Sequence, residues 1–152
     1  MVENTVGPLG IEPILDRIIA NVPVLEFVGR TADMEEARRS KTPVSPSAYV
    51  ILASEQASNR VGTTSRLVQP MTANWSVVTC LRQYTDMEGE AGLNDVLADF
   101  VGPVRLALLG WRHPEASTEV EMTGTSGVIA FENGVLWWED KYTARYELIR
   151  TP

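Results

Sequence analysis

The sequence predicts an α+β fold: a mainly antiparallel sheet, two main helices packed on one of its faces, and a long projecting β-hairpin. Three observations carry this. Two segments, residues 11–22 and 93–108, space their apolar residues as a helix does. The runs between and after them are rich in β-branched and aromatic residues, several at period two. These runs come in neighbouring pairs, one joined by Asn133-Gly134, a pair suited to the positive φ angles of a type I′ hairpin turn.

Taken in order, Ile11, Ile14, Leu15, Ile18, Ile19 and Val22 form one face of an amphipathic helix. Pro13 lies in its first turn, where a missing N–H costs nothing, and Pro23 ends it. Residues 24–28 predict a short strand. Thr31 then caps a short charged segment, residues 32–39, whose few apolar side chains predict an exposed helical turn or loop. Residues 40–46 hold two prolines and predict a loop. Residues 48–53 are an apolar run that predicts a strand buried on both faces.

Residues 54–65 are polar and predict a long loop. The strand after it places Leu67, Met71, Ala73, Trp75, Val77 and Leu81 on one face. Together these form the projecting hairpin, and Pro70 must lie at an edge or a bulge because it cannot donate to a ladder. Residues 84–92 predict an acidic loop with Asp86, Glu88 and Glu90. The second helical face is Leu93, Val96, Leu97, Phe100, Val101, Val104 and Leu108, with a kink or break at Gly102-Pro103 and Gly110 as its C-cap. Residues 111–117 predict a loop, and 119–122 and 128–132 short strands around a Gly-rich bend.

The last strand directs Leu136, Trp138, Tyr142, Ala144, Tyr146 and Leu148 towards the core. Val135, Trp137, Glu139, Lys141, Thr143, Arg145 and Glu147 face the other way. Asp140 dissents on the core face. It is expected near a strand edge or paired with a basic side chain such as Arg112, because an unpaired buried carboxylate is costly.

At 152 residues the chain predicts one domain, 1–152, with residues 1–10 as a flexible lead. A domain of this size buries about 70% of its unfolded surface, enough for a core. The net charge of −7 argues against tight nucleic-acid binding, which needs Lys and Arg to neutralise phosphates. Passing DNA without holding it remains compatible with an acidic surface. Cys80 is the single cysteine, so no intramolecular disulfide can form. The first residues show no secretion signal, and no apolar stretch approaches the ~20 residues that span a bilayer. The expected location is the cytoplasm or a particle assembled there, with no membrane partner.

Chemistry is sparse. Cys80 falls in mid-strand, where a thiol is ordinarily inert packing, and His113 falls in a loop beside Pro114, where it is expected exposed. One His and one Cys do not supply the roughly four ligands of a zinc site. Phosphate-binding, dinucleotide and serine-hydrolase motifs are absent. Gly124-Thr125-Ser126-Gly127 is expected to be a β-bend, since no helical face follows it. The carboxylates Asp86, Glu88, Glu90, Glu139 and Asp140 are expected to be a solvated acidic face. No catalytic residue, metal or cofactor is expected.

The tryptophans say more. Trp75 and Trp138 belong to apolar faces. Trp137 points the opposite way, because adjacent strand residues face opposite sides. Either a partner covers it, as aromatics at interface centres are covered, or a local layer such as the N-terminal lead does.

Four segments together resemble the tail-terminator family of long-tailed phages, also called tail-completion or minor tail proteins. They are the early helix followed by Phe27-Val28-Gly29-Arg30; the strand and polar loop of 48–55 with the long strand 69–78; Leu109-Gly110-Trp111-Arg112 ending a helix; and the closing strand 138–146. The resemblance runs over residues 11–150. It departs where His113 separates Arg112 from Pro114, which bears on that loop's shape.

The resemblance implies a non-enzymatic virion protein. It implies a homo-oligomeric ring of six copies on the finished tail tube, which stops tube polymerisation and joins the neck or head-completion protein, while genomic DNA passes through the channel without specific binding. The polar hairpin then becomes the candidate contact with a neighbouring subunit or the tube, through Gln56, Asn59, Arg60, Thr63, Thr64 and Arg66, since long loops in compact domains are usually functional. Trp137 and Arg145 are the candidates on the closing strand. A neck connector or stopper is the alternative within the same particle, and a small ligand-binding or enzymatic α+β domain is the alternative outside it.

Overall fold

The computed structural model describes residues 6–63, 65–82 and 89–151. Helix α1 (Glu12–Asn21) and strand β1 (Phe27–Arg30) lead into helix α2 (Thr31–Arg39). Strands β2 (Ser47–Ala57), β3 (Val61–Thr63) and β4 (Arg66–Arg82) follow, then helix α3 (Gly89–Leu108) and strands β5 (Glu121–Met122), β6 (Gly127–Glu132) and β7 (Val135–Arg150). The seven strands form one sheet in the order β1-β2-β4-β7-β5, with β3 beside β4 and β6 beside β7. Only β1 and β2 pair in parallel; the other pairings are antiparallel. The α+β expectation holds.

Alternation along the strands divides the core in two. Ala48 and Val50 of β2, Ala73, Trp75 and Val77 of β4, and Tyr142, Ala144 and Tyr146 of β7 share one buried cluster with Ile14, Leu15 and Ile18 of α1 and Val104, Ala107 and Leu108 of α3. The two main helices thus cover one face. The second face has its own smaller cluster: Tyr49, Val78, Cys80, Val135 and Trp137 under Met34 of α2. The charged segment expected to be exposed is therefore a cover. Nor is Thr31 its cap: Thr31 opens the helix, and the Asp33 carboxylate accepts the Arg30 N–H at 2.8 Å.

Helix α3 begins at Gly89 and runs unbroken through Pro103, so the expected break is absent and residues 89–92 are helix rather than loop. Val101, Val104, Ala107 and Leu108 are buried on both sides of the proline, which anchors both halves. Asp86 and Glu88 lie outside the described residues. Gly110, at φ +74°, follows the helix in the conformation that glycine adopts without strain, and Asn133 (φ 53°) with Gly134 (φ 73°) makes the expected I′ turn.

The polar segment is mostly strand. Residues 54–57 continue β2 opposite β4, and β3 pairs with β4 nearer the turn. Pro70 sits where that flank is interrupted: its carbonyl accepts the Ser58 N–H, and its absent N–H faces the same gap between β2 and β3. The register shift between Leu52 and Ser54 inverts the alternation, so Glu55 opposes Ala73 on the helix-covered side. There its carboxylate accepts the Leu9 N–H at 2.9 Å and the Tyr146 hydroxyl at 2.5 Å. Leu9 is buried, so the part of the lead nearest α1 is pinned rather than flexible.

His113 is buried too, against expectation. Its Nε2 lies 2.7 Å from the Gly10 carbonyl, and its Nδ1 accepts the Glu115 N–H at 3.0 Å. That pairing requires a neutral ring protonated on Nε2. Burial depresses its pKa below the ordinary 6.5, against the Gly10 bond and the Glu115 charge, which act upwards. The unfolded chain therefore takes up this proton first as pH falls. The stability contribution is complete above about 6.5 and is lost as pH drops towards the lower folded value. Thermal midpoints between about pH 7 and pH 5 should fall more steeply in the natural chain than in His113→Gln, whose side chain does not titrate.

Candidate interaction surface

Beyond the reach of α2, the second face of the sheet is open. Gln56 of β2, Thr72 of β4 and Arg145 of β7 stand side by side across it. Two of the expected contact residues, Gln56 and Arg145, are thus brought onto one surface, and both are exposed. Beside them lies a cavity of about 330 Å³ lined by Thr72, Thr118, Glu119, Glu121, Thr143 and Arg145. The chain is held there by backbone bonds: the Arg145 carbonyl accepts the Ser117 N–H at 2.8 Å, and the Arg145 N–H reaches Thr118 Oγ1 at 2.9 Å. Around the cavity this face carries Glu119, Glu121, Glu139 and Glu147 against Lys141 and Arg145.

Further along the same strands, β3 and the ends of β4 and β7 form a ribbon. Asn59, Arg60, Thr63 and Arg66 are all exposed there, while Thr64 lies outside the described residues. Arg60 shares a hollow of about 200 Å³ with Arg150, floored by Leu67, Leu148 and Ile149. Val61 is an exposed apolar side chain there, at 62% exposure.

Trp137 stands apart from both regions. Its facing is as expected, opposite the helix-covered side, but it is only 3% exposed. Met34 and Ala37 of α2 cover it, and the Arg38 guanidinium lies 5.9 Å from its ring centroid. The cover is α2, neither a partner nor the lead, so Trp137 leaves the candidate surface. Trp137→Ala should consequently destabilise the monomer by about 2–3 kcal/mol, below the usual range for deeply buried Trp because α2 can settle into the space. Chemical denaturation would read the loss, and amide exchange would place it first in α2.

Asp140 is buried and paired, as its position demands, but its partner is Arg105 of α3 rather than Arg112. Arg105 donates two bonds of 2.8 Å to the two carboxylate oxygens, and Trp138 Nε1 donates a third at 3.0 Å. Burial pushes the carboxyl up, yet Arg105, Ser126 and Trp138 together hold it below its ordinary value. The pair locks α3 to β7 behind the open face.

Cys80 is buried between Tyr49, Val78 and Trp137, and burial raises its thiol to about 11 over the smaller opposing effects of Ser47 and Arg82. It stays a protonated packing group at neutral pH. Among the described residues no set of three or more His, Cys, Asp or Glu side chains is placed to hold a metal.

Two features escaped the sequence. One is the acidic pair Glu119 and Glu121, which β5 and the residues just before it carry onto the open face. The other is the exposure of Val128, Ile129 and Phe131 on the expected strand β6 at the sheet edge.

A family profile described as phage tail terminator protein matches residues 4–152. No curated protein matches the chain. Among solved structures, the chain is similar to one from the virion of a native gene transfer agent particle. The two are 12% identical, with 88% of this chain and 91% of that one covered and a TM-score of 0.53. At that identity the likeness is one of fold.

Proposed function

Since this chain belongs to the phage tail terminator family, we propose that it closes the tail as a ring of six copies, set on the end of the tube, where it halts polymerisation and presents the surface that meets the neck. It is a structural tail protein. The observation that carries the ring is the pair of unlike exposed surfaces, the open sheet face and the ribbon. A ring needs a head-to-tail contact between two different patches, and one chain offers both. Six copies carry −7 each, and whatever part of that charge lines the channel would repel passing DNA from the wall. The ring assembles in the host cytoplasm and stays in the virion.

The same geometry argues for assembly without catalysis. The one thiol and the one imidazole are both buried and engaged, Cys80 in packing and His113 between Gly10 and Glu115. Among the described residues no helix is long and apolar enough to cross a membrane.

Sedimentation tests the ring. The chain, alone at rising concentration or with tube protein, should give a species of about six times 16.8 kDa. Replacing residues 58–70 by Asn-Gly, which joins β2 to β4 through a two-residue turn, should leave a folded monomer that makes no rings. Rings of normal size from that shortened chain would remove the ribbon from the contact.

A further inference from the structure

We propose that the copies of the ring are joined edge to edge, the outer side of β6 in one copy pairing as an added strand with the outer side of β2 at residues 51–57 in the next. This contact rests on the ring reading above and supplies backbone bonds that would close it.

The sheet is open at both ends, and its two open edges are unlike. On one side β1 covers β2 only from Ser47 to Val50. Past that point, among the described residues, no strand lies outside residues 51–57. On the other side β6 pairs with β7 alone. An unpaired edge is a template for another chain, and monomeric proteins commonly guard theirs with lysine, proline or outward charge. Residues 51–57 and 127–132 contain no Lys, Arg or Pro. Their two carboxylates stand aside: Glu55 turns to the helix-covered side and holds Leu9 and Tyr146, and Glu132 ends β6 beside the turn. What β6 shows to solvent is Val128, Ile129 and Phe131, and β2 shows Ala53 and Ala57. Pairing two such edges satisfies backbone groups and removes apolar surface from water in one step.

The geometry favours a second copy of this chain as the partner. The open stretch of β2, residues 51–57, is close in length to β6, which has six residues. Direction alternates from β2 through β4 and β7 to β6, so β6 meets β2 of a like-oriented neighbour antiparallel. Val128 lies level with Ala48, through Trp138 and Thr79, and Ser54 at the middle of the open β2 edge lies further along the strand. Joining the edges therefore displaces successive copies by roughly 20 Å along the strands for a four-strand width of roughly 19 Å. Copies held at one level then tilt their strands by about 45° to the ring axis, the upper end of the range in which sheets close into barrels. The register shifts at Leu52/Ser54 and Val128/Ala130 add the bending that closure needs. Pairing β6 with β6 would leave both β2 edges open, whereas pairing unlike edges around a ring leaves neither.

Amide exchange on the natural chain tests this, comparing rings with the monomer obtained by dilution. Residues 51–57 and 127–132 should both exchange at least about tenfold more slowly in the ring. A variant carrying Ile129→Lys with Phe131→Lys restores the missing guard. Both positions are exposed, so its melting curve should match the natural one, while the concentration at which rings half-form should rise at least about tenfold. Protection of both segments together with that rise supports the contact. Rings whose two segments exchange as in the monomer would overturn it and leave the ring reading intact, as would rings from the lysine variant at the natural concentration. Protection of 127–132 alone in a species of two copies would mark β6 pairing with itself. Protection of 127–132 only on adding tube protein, with 51–57 unchanged, would give the edge to the tube. Either result overturns the contact. Absence of rings from the natural chain, alone and with tube protein, would remove the ring reading and this contact with it.

Discussion

Trp75→Ala should cost about 3–5 kcal/mol, the usual loss when a large aromatic is deleted from a packed interior. Trp75 is 1% exposed at the centre of the sheet, between Leu52 of β2 and Tyr142 of β7. Its ring stacks on Tyr142 at a centroid distance of 6.2 Å and an interplanar angle of 20°. Strands on both sides and helices above leave the surroundings little room to collapse, so the cavity persists. Trp75→Phe keeps a ring in the stack and should lose much less. Urea denaturation of the three proteins checks both statements, and a midpoint for Trp75→Ala close to the natural one would contradict the placement of this core.

Arg105→Leu should be nearly as damaging at neutral pH, about 3 kcal/mol, because it strands the Asp140 carboxylate, which is 2% exposed. The reverse deletion is milder, since Arg105 keeps about a third of its side chain in solvent and can be hydrated there. The two proteins should also differ with pH. In the natural chain the Asp140 pKa lies below the unfolded value of 3.8, so its contribution is complete above that value and is lost only as pH falls through the lower folded one. In Arg105→Leu burial acts without its counter-charge and raises the carboxyl above 3.8. The folded variant then holds the proton more tightly than the unfolded chain, and its stability falls as pH rises through that interval. The gap between the two proteins should therefore narrow as pH is lowered from about 7 to about 4.

The facing of β7 was legible because two local signals agreed. Asn133-Gly134 pinned the start of the strand, and Tyr142, Ala144 and Tyr146 marked its buried side. What covers Trp137 was not legible, since α2 buries almost nothing apolar of its own beyond Met34. It shields the indole partly with the stem and guanidinium of Arg38, a residue whose charge reads as exposure.

Residues 54–63 read as loop because their side chains are polar. Their backbone is nevertheless templated by β4, and a strand open to water on one face needs no apolar alternation. His113 and Leu9 were misplaced for another reason. The contact from His113 to Gly10 spans 103 positions, and no local pattern records a partner that distant. At the candidate surface, Gln56, Arg60, Arg66 and Arg145 could be named from polarity alone, whereas Glu119 and Glu121 required the fold to bring β5 onto the same face.

The central claim is that this chain ends a tail tube. Tube protein polymerised in its presence, with the products imaged and their lengths measured, tests that claim most directly. Shorter tubes are expected, bearing one extra ring at a single end and not resuming growth when more tube protein is added. Tubes of unchanged length with bare ends, while the chain binds a purified portal complex instead, would contradict it.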